Sequence, residues 1–453
     1  MSNSKRNLRI GLIEGLLSTP YSLASIPGGF LLAALMTQWF CLDKSTFGWI
    51  VSLPSWANIL PALALPPIAR FITAKDLALR MAWLNAILWA VFVASLEFLP
   101  KEDGYATAIF FALFFFSTSV TGAFQVVGWT AWVRDWVPQK LRGAYFGKRN
   151  SWISAMTFGF LLLVTAALHK FSDSLSPYVW ILGSMVFLRF LGIAWLQNIH
   201  SGSKVKLEAQ PLLKSLSECL AAPGLVYFIL FSAWMNFWMS CTGPFAAVFT
   251  FEELNVAPST FALMTAISTV TGFFGWTFWG RVADKAGAIP VIAMGTFLWE
   301  LSNCLWPFLV PANSWLLYPM FFWGGFFSVS FFMGSFNLLL NLVPEKSSIA
   351  AISLHLAVTA SAMAVAPILT GGLLEEFVTI KGGGIAVYHI GFAIKSAAFL
   401  LGLLILLRIR EPGRTMRQSL PGAFRNVRQA MAVQGLELFA NLTPFRSSST
   451  PKK

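Results

Sequence analysis

The chain has 453 residues, of which 57% are apolar and only 11% are Asp, Glu, Lys or Arg, and its mean hydropathy is +0.68. A soluble domain is about 25% charged, so this composition excludes an ordinary water-soluble globule and points to a polytopic membrane protein. The net charge of +13 is explained by membrane topology without a nucleic-acid partner.

A spanning helix needs about 20 mostly apolar residues. That ruler, walked from the N-terminus, predicts twelve spans: 11–36, 46–69, 79–99, 105–133, 150–168, 178–197, 224–249, 259–279, 290–310, 315–341, 349–374 and 387–407. The runs are continuous rather than ten-residue alternations, which favours helices over a β-barrel. The first stretch follows Lys5, Arg6 and Arg9 like a signal peptide, but Glu14, Pro20 and Pro27 interrupt it and its apolar run extends to about Met36. It therefore reads as an uncleaved first span. Cys41, Cys219, Cys241 and Cys304 are scattered with no CxxC, which indicates neither a disulfide framework nor a metal site.

Lys and Arg gather on alternate connections. With the N-terminus inside, the inner segments hold Arg70, Lys75 and Arg80; Arg134, Lys140, Arg142, Lys148 and Arg149; Lys204, Lys206 and Lys214; Arg281 and Lys285; Lys346; and a basic tail from Arg408. The outer segments hold Lys44, Lys101, Lys170 and Lys381 beside Glu102, Asp103, Asp173, Glu252, Glu253, Glu375 and Glu376. The asymmetry predicts two cytoplasmic termini, which an even number of spans requires.

The longest polar interruption before the tail is 198–222, whose stretch 211–222 has the pattern of an amphipathic surface helix. Six predicted spans precede it and six follow. RDWVPQKLRG after the fourth span aligns with NLVPEKSSIA after the tenth, and PPIARFITAKD after the second with FWGRVADKAGA after the eighth, at nearly the same spacing. Parallel repeats of this kind are found in secondary transporters. The expected organisation is an N-terminal half (1–197), a linker (198–222), a C-terminal half (223–412) and a basic tail (413–453) that rests on anionic lipid or stays disordered.

Here the residues carry a resemblance. Gly280, Arg281, Asp284, Lys285 and Gly287 resemble the G-x-x-x-D-[RK]-x-G loop of the major facilitator superfamily, and Asp135, Pro138, Arg142, Gly143 and Gly147 resemble its D-x-x-P-x-x-x-R-G-x-x-x-G loop after the fourth span. The resemblance covers about residues 8–412. It implies an all-α fold of twelve transmembrane helices in two six-helix halves and a secondary transporter that is a monomer. It also implies that Asp284 docks against the other half near 148–151, Arg149 included, while the cytoplasmic side is closed. The plainer reading makes Arg281 and Lys285 topology anchors. The first half departs from the motif: Thr73 stands opposite Asp284, with Asp76 three residues on, and Ala69 replaces the leading glycine. An asymmetric gate held by the Asp284 side follows.

An ionisable residue in hydrocarbon costs about 2.5–3.5 kcal/mol on insertion scales. Four need a reason: Glu14, Arg189, Glu300 and Lys395. At 1.5 Å per residue, Glu300 lies ~15 Å and Lys395 ~20 Å from the inner edge, depths that allow a pair. The resemblance makes spans 3, 6, 9 and 12 peripheral, so Glu300 and Lys395 read as a structural pair rather than a proton relay, and Arg189 as structural with no evident partner. Span 1 lines the family's cavity, which makes Glu14 a candidate proton or substrate-cation site; the alternative is a Glu reaching headgroup water. Tyr21, Gln125, Trp129, Trp234, Asn236, Asn337, Asn341 and His355 are the candidate cavity residues, since amides and indoles hydrogen-bond and stack small solutes. Interhelical packing is the competing explanation for each.

Other classes fit poorly. GAYFGKR at 143–149 lacks P-loop spacing and a following Ser or Thr. His169, His200, His355 and His389 have no acid or second His at a catalytic or metal spacing, so neither an enzyme nor a resident cofactor is expected. No filter repeats of a channel occur. The reading is a transporter of a small organic solute, proton-coupled or facilitative, working by rocking of two halves in a plasma (bacterial inner) membrane. A lipid flippase or a non-transporting sensor on the same fold is the alternative.

Overall fold

The computed structural model describes residues 3–61, 64, 71–100, 104–137, 142–171, 174–200, 223–343 and 348–409. All the extended regular elements among them are helices. The first predicted span is a correction: it is neither a single helix nor confined to 11–36. It runs as α1 (Asn3–Leu17), α2 (Thr19–Ala24) and α3 (Phe30–Ala34), and α3 passes into a π turn at Leu35–Trp39. Pro20 in the first turn of α2 and the Pro27-Gly28-Gly29 run before α3 account for the breaks. A proline ring has no N–H and clashes with the preceding turn.

Asp43 then starts α4 (Lys44–Ala57), accepting at 2.8 Å from the Thr46 amide. The chain continues as α5 (Ala74–Ser95), α6 (Gly104–Trp136), α7 (Arg142–Lys170) and α8 (Ser176–Leu196). After the linker follow α9 (Pro223–Glu252), α10 (Pro258–Ala286), α11 (Ala288–Asn303), α12 (Leu317–Leu342), α13 (Ser348–Leu374) with a π turn at Glu375–Ile380, and α14 (Ile385–Leu406). Among the described residues ten helices are long and apolar enough to cross a membrane. The first two predicted spans are not in that set. One is broken, and 62–63 and 65–69 of the other lie outside the described residues, as do most of the linker (201–222) and the tail (413–453).

The helices before and after the linker pack alike. α1 lies on α8 as α9 lies on α14, and α5 lies on α6 as α11 lies on α12. The most extensive contacts between the groups are α4 against α13 and α7 against α10, and α3 also lies on α9 and α10. At the end carrying Lys44, a single buried core spans both groups, with Phe30 stacked on Phe261 at 5.7 Å and Phe47 edge-on to Phe245 at 5.5 Å. At the end carrying the chain termini, buried clusters stay within one group. Ile10, Trp132, Trp136 and Leu196 form one, and Leu225, Ile292, Leu338 and Leu406 another. Among the described residues, shared apolar packing thus seals the Lys44 end and not the other.

Candidate functional site

A cavity of about 550 Å³ lies between the two groups. Its walls come from α2 and the turn after it (Tyr21, Ser25, Gly28), α4 (Ser55, Asn58), α5 (Trp89), α6 (Thr118, Ser119, Gly122), α9 (Asn236, Ser240, Gly243), α12 (Phe332) and α13 (Met363). Pro54, Pro244 and Pro367 lie inside α4, α9 and α13 and also face it. Each removes a helical N–H bond and thereby loosens the wall locally. No Asp, Glu, Lys, Arg or His lines the cavity among the described residues; its polar groups are hydroxyls, amides and an indole.

Tyr21 and Asn236 are the candidates from sequence that line it. Trp234 donates to the Ala398 carbonyl at 2.7 Å and so faces α14, not the cavity. Trp129 sits beside Arg149, 5.7 Å from ring centre to guanidinium, and His355 lies flat on Phe228 at 5.4 Å. Gln125 and Asn337 are half-buried, Asn341 is exposed, and none of the three lines the cavity. Sequence reasoning missed Ser55, Asn58, Trp89 and Ser119, and above all Asn85. That amide is fully buried on α5, accepts from the Tyr21 hydroxyl at 2.7 Å, and donates to the Thr118 carbonyl (2.8 Å) and to Thr121 (2.9 Å). A lone amide in an otherwise apolar helix was the available signal.

Behind this wall sits a buried charge cluster. Glu14, on α1, lies 3.5 Å from Arg149 of α7 and 3.5 Å from Arg189 of α8, and it accepts from Ser18 at 2.9 Å. Arg189 donates to Ser18 at 2.7 Å and covers the Tyr21 ring at 4.7 Å. Arg149 also donates to the Gly11 carbonyl at 3.3 Å. Gly11 and Gly15 make room: a Cβ on Gly15 would meet the Arg149 guanidinium at 2.7 Å, and one on Gly11 the Tyr145 hydroxyl at 2.5 Å. Two guanidiniums therefore face one carboxylate, and the cluster contacts Tyr21 in the cavity wall. Arg189, which had no evident partner in the sequence, has Glu14.

Glu300 and Lys395 are buried together in α11 and α14, with Lys395 Nζ 2.6 and 2.9 Å from the two carboxylate oxygens and Asn303 donating at 3.1 Å. At the sealed end Lys44 Nζ lies 3.0 Å from Glu252, and the Lys44 amide donates to Glu375 at 2.9 Å, so α4 is tied to α9 and α13. In the 280–287 motif Arg281 is exposed, Gly280 lies near Met333, and Gly287 closes α10 at φ 97°, a backbone state that suits glycine. The side chains of Asp135, Arg142, Asp284 and Lys285, the surroundings of Gly143 and Gly147, and Pro138 lie outside the described residues. In the first group, Asp76 is engaged locally: its amide donates to Thr73 Oγ1 at 3.1 Å and its carboxylate accepts from that hydroxyl at 2.7 Å, capping α5.

Residues 226–447 match the family model described as Major Facilitator Superfamily. Over those residues, just under half of the chain, the sequence is that of this superfamily. Solved structures with this fold include a mutant of the nucleoside transporter NupG (TM-score 0.69, 13% identity, covering 90% of this chain and 100% of that one). A bacterial homologue of the iron transporter ferroportin in its inward-facing state gives 0.67 at 15% identity, covering 89% and 98%. The D-xylose-proton symporter gives 0.65 at 15% identity, covering 92% and 100%. No curated protein matches by sequence. The family match and the ten long apolar helices among the described residues mark an integral, multi-pass membrane protein with the fold of a transporter.

Proposed function

We propose that the chain moves a small, uncharged organic solute across a membrane by alternating access. The observation that carries this is the cavity of about 550 Å³ walled by both helix groups and free of ionic side chains among the described residues. Burying an unpaired charge in such a site costs several kcal/mol, so an uncharged ligand suits it. Hydroxyls and amides set in a largely apolar lining (Val51, Met239, Phe332, Met363) suit a solute with both polar and apolar faces. The proposal includes twelve spans in two halves (1–197 and 223–412), a cytoplasmic linker and tail, cytoplasmic termini, a bacterial inner-membrane location and a monomer. The positive-inside distribution supports the orientation, and the alike packing on both sides of the linker supports the halves. In that orientation the Lys44 end is external, and the shape is inward-open. The Asp284 loop is the cytoplasmic gate, and Glu300–Lys395 is a structural pair.

The likeness to a nucleoside transporter and to a D-xylose-proton symporter makes nucleosides and pentoses the first solutes to test. Glu14 is the candidate proton-coupling residue because it connects, through Ser18 and Arg189, to Tyr21. The test is uptake and counterflow of labelled nucleosides and pentoses in proteoliposomes, with and without an imposed pH gradient. Expected are saturable counterflow of one class and gradient-driven accumulation, the second lost in Glu14→Gln while counterflow remains. Counterflow of charged solutes alone refutes the uncharged-substrate reading.

A further inference from the structure

We propose that Asn85, which does not line the cavity, sets the hydrogen-bonding sense of Tyr21, so that the cavity selects solutes carrying an O–H or N–H donor. This rests on the reading of the cavity as the transport site. The geometry leaves one orientation for the Asn85 amide. Its partner at 2.8 Å is the Thr118 backbone carbonyl, which only accepts, so the atom facing it is Nδ2. The same nitrogen donates to Thr121 Oγ1 at 2.9 Å, and that hydroxyl gives its own hydrogen to backbone carbonyls of Ser117 and Thr118, each at 3.0 Å. Both amide hydrogens are thereby used, and Oδ1 points to Tyr21 at 2.7 Å.

An amide oxygen has no hydrogen, so the Tyr21 hydroxyl must donate to it. A phenol has one hydrogen. Toward the cavity Tyr21 therefore presents oxygen lone pairs only. The Trp89 ring stands edge-on to Tyr21 at 6.2 Å, and its buried indole N–H can only donate, so it does not reverse that sense. Asn85 is fully buried, so water does not compete for the amide. The guanidinium of Arg189 against the ring face, 4.7 Å away, holds the phenol in place from the other side. A solute hydroxyl or N–H finds an acceptor here; an ether or ester oxygen meets oxygen against oxygen. Asn85 is a positioning residue, acting through Tyr21.

Ultraviolet resonance Raman spectra of the purified full-length protein, taken as wild type minus Tyr21→Phe, isolate this one phenol. The tyrosine Fermi doublet separates a donating hydroxyl from an accepting one. The expected result is a strong donor signature that disappears in Asn85→Leu, a change that leaves the Thr118 carbonyl and the Thr121 hydroxyl their helical partners. A wild-type signature of an acceptor, or a donor signature that persists in Asn85→Leu, overturns the inference. If Asn85→Leu does not fold, Thr121→Val with the same measurement takes its place: the donor signature persists, because Thr118 still orients the amide, and an acceptor signature there overturns it. Thermal stabilisation by D-xylose and by its fully O-methylated derivative adds a ligand readout. At least tenfold weaker stabilisation by the methylated compound is expected, and equal stabilisation overturns donor selection. Failure of both compounds to stabilise counts against the pentose assignment of the cavity, while the spectrum still decides the orientation of Tyr21.

Discussion

Glu300 and Lys395 carry opposite charges into the packed interior of α11 and α14, where each has only a few polar partners within reach. Removing one partner strands the other, which typically costs about 3–5 kcal/mol, whereas replacing both by apolar groups is often neutral. Glu300→Gln and Lys395→Met should each lower the midpoint of detergent-solubilised unfolding sharply. The double variant should recover most of the loss, and additive losses would show the pair to be uncoupled. Glu253, just beyond the end of α9, titrates differently. Burial first, then the adjacent Glu252, raise its pKa, with Lys44 and His389 opposing. The folded state then holds this proton more tightly than the unfolded state. Its contribution to stability is fully present below the ordinary carboxylate pKa and is lost as pH rises through the raised one. Glu253→Gln should flatten the fall in thermal midpoint over that window. At this scale the sequence exposed the charged residues in apolar runs and suggested the pairing of Glu300 with Lys395, but not the partners of Glu14 and Arg189. Glu14 and Arg189 are 175 positions apart, and only the packing of α1 on α8 brings them together. The cavity residues were less legible still. These helices are apolar nearly all round, so periodicity does not mark which face meets the cavity.

Between elements, α4 and α13 touch backbone to backbone. A Cβ on Gly48 would run into the Pro367 carbonyl, and one on Gly371 would come within 2.5 Å of the Lys44 carbonyl. Small residues let membrane helices approach closely, and here they do so beside the Lys44–Glu252 pair and the Glu375 contact. Gly48→Val should wedge that end open. Cys241 is buried on α9 at present, and peptide-resolved alkylation should modify it several-fold faster in the variant; an unchanged rate would mean the end stays sealed. The helices themselves were largely readable as long apolar runs, and the exception has a clear cause. The same prolines and glycines that break the first stretch were visible in the sequence. Whether Pro20 and Pro27 kink a helix or divide it depends on neighbours that compensate lost backbone bonds.

Across the whole molecule, one shared apolar core lies at the Lys44 end and separate clusters lie at the other. Rocking transport requires that shared core to come apart in every cycle. Phe30 and Phe261 stack across it. A short bismaleimide joining Phe30→Cys to Phe261→Cys in a background without reactive cysteines should abolish uptake, with each single variant retaining it; transport by the linked protein would exclude this motion. The superfamily was recognisable because its short polar loops must meet water, and those loops stand out against 57% apolar residues. The substrate is not written there, since it depends on hydroxyls and amides scattered over four helices and their ends.

The Glu14 cluster has a consequence for how the protein is made. Its carboxylate leaves the ribosome 135 residues ahead of Arg149 and 175 ahead of Arg189. Until then α1 carries an uncompensated acid costing about 2.5–3.5 kcal/mol on insertion scales, and α2 and α3 continue it as broken pieces. A segment translated ahead of its partners is thus among the last of its group to be secured. A nascent chain arrested before Arg149 should leave α1 loosely held at the translocon, extractable by alkaline carbonate, and chains extended beyond Arg189 should retain it.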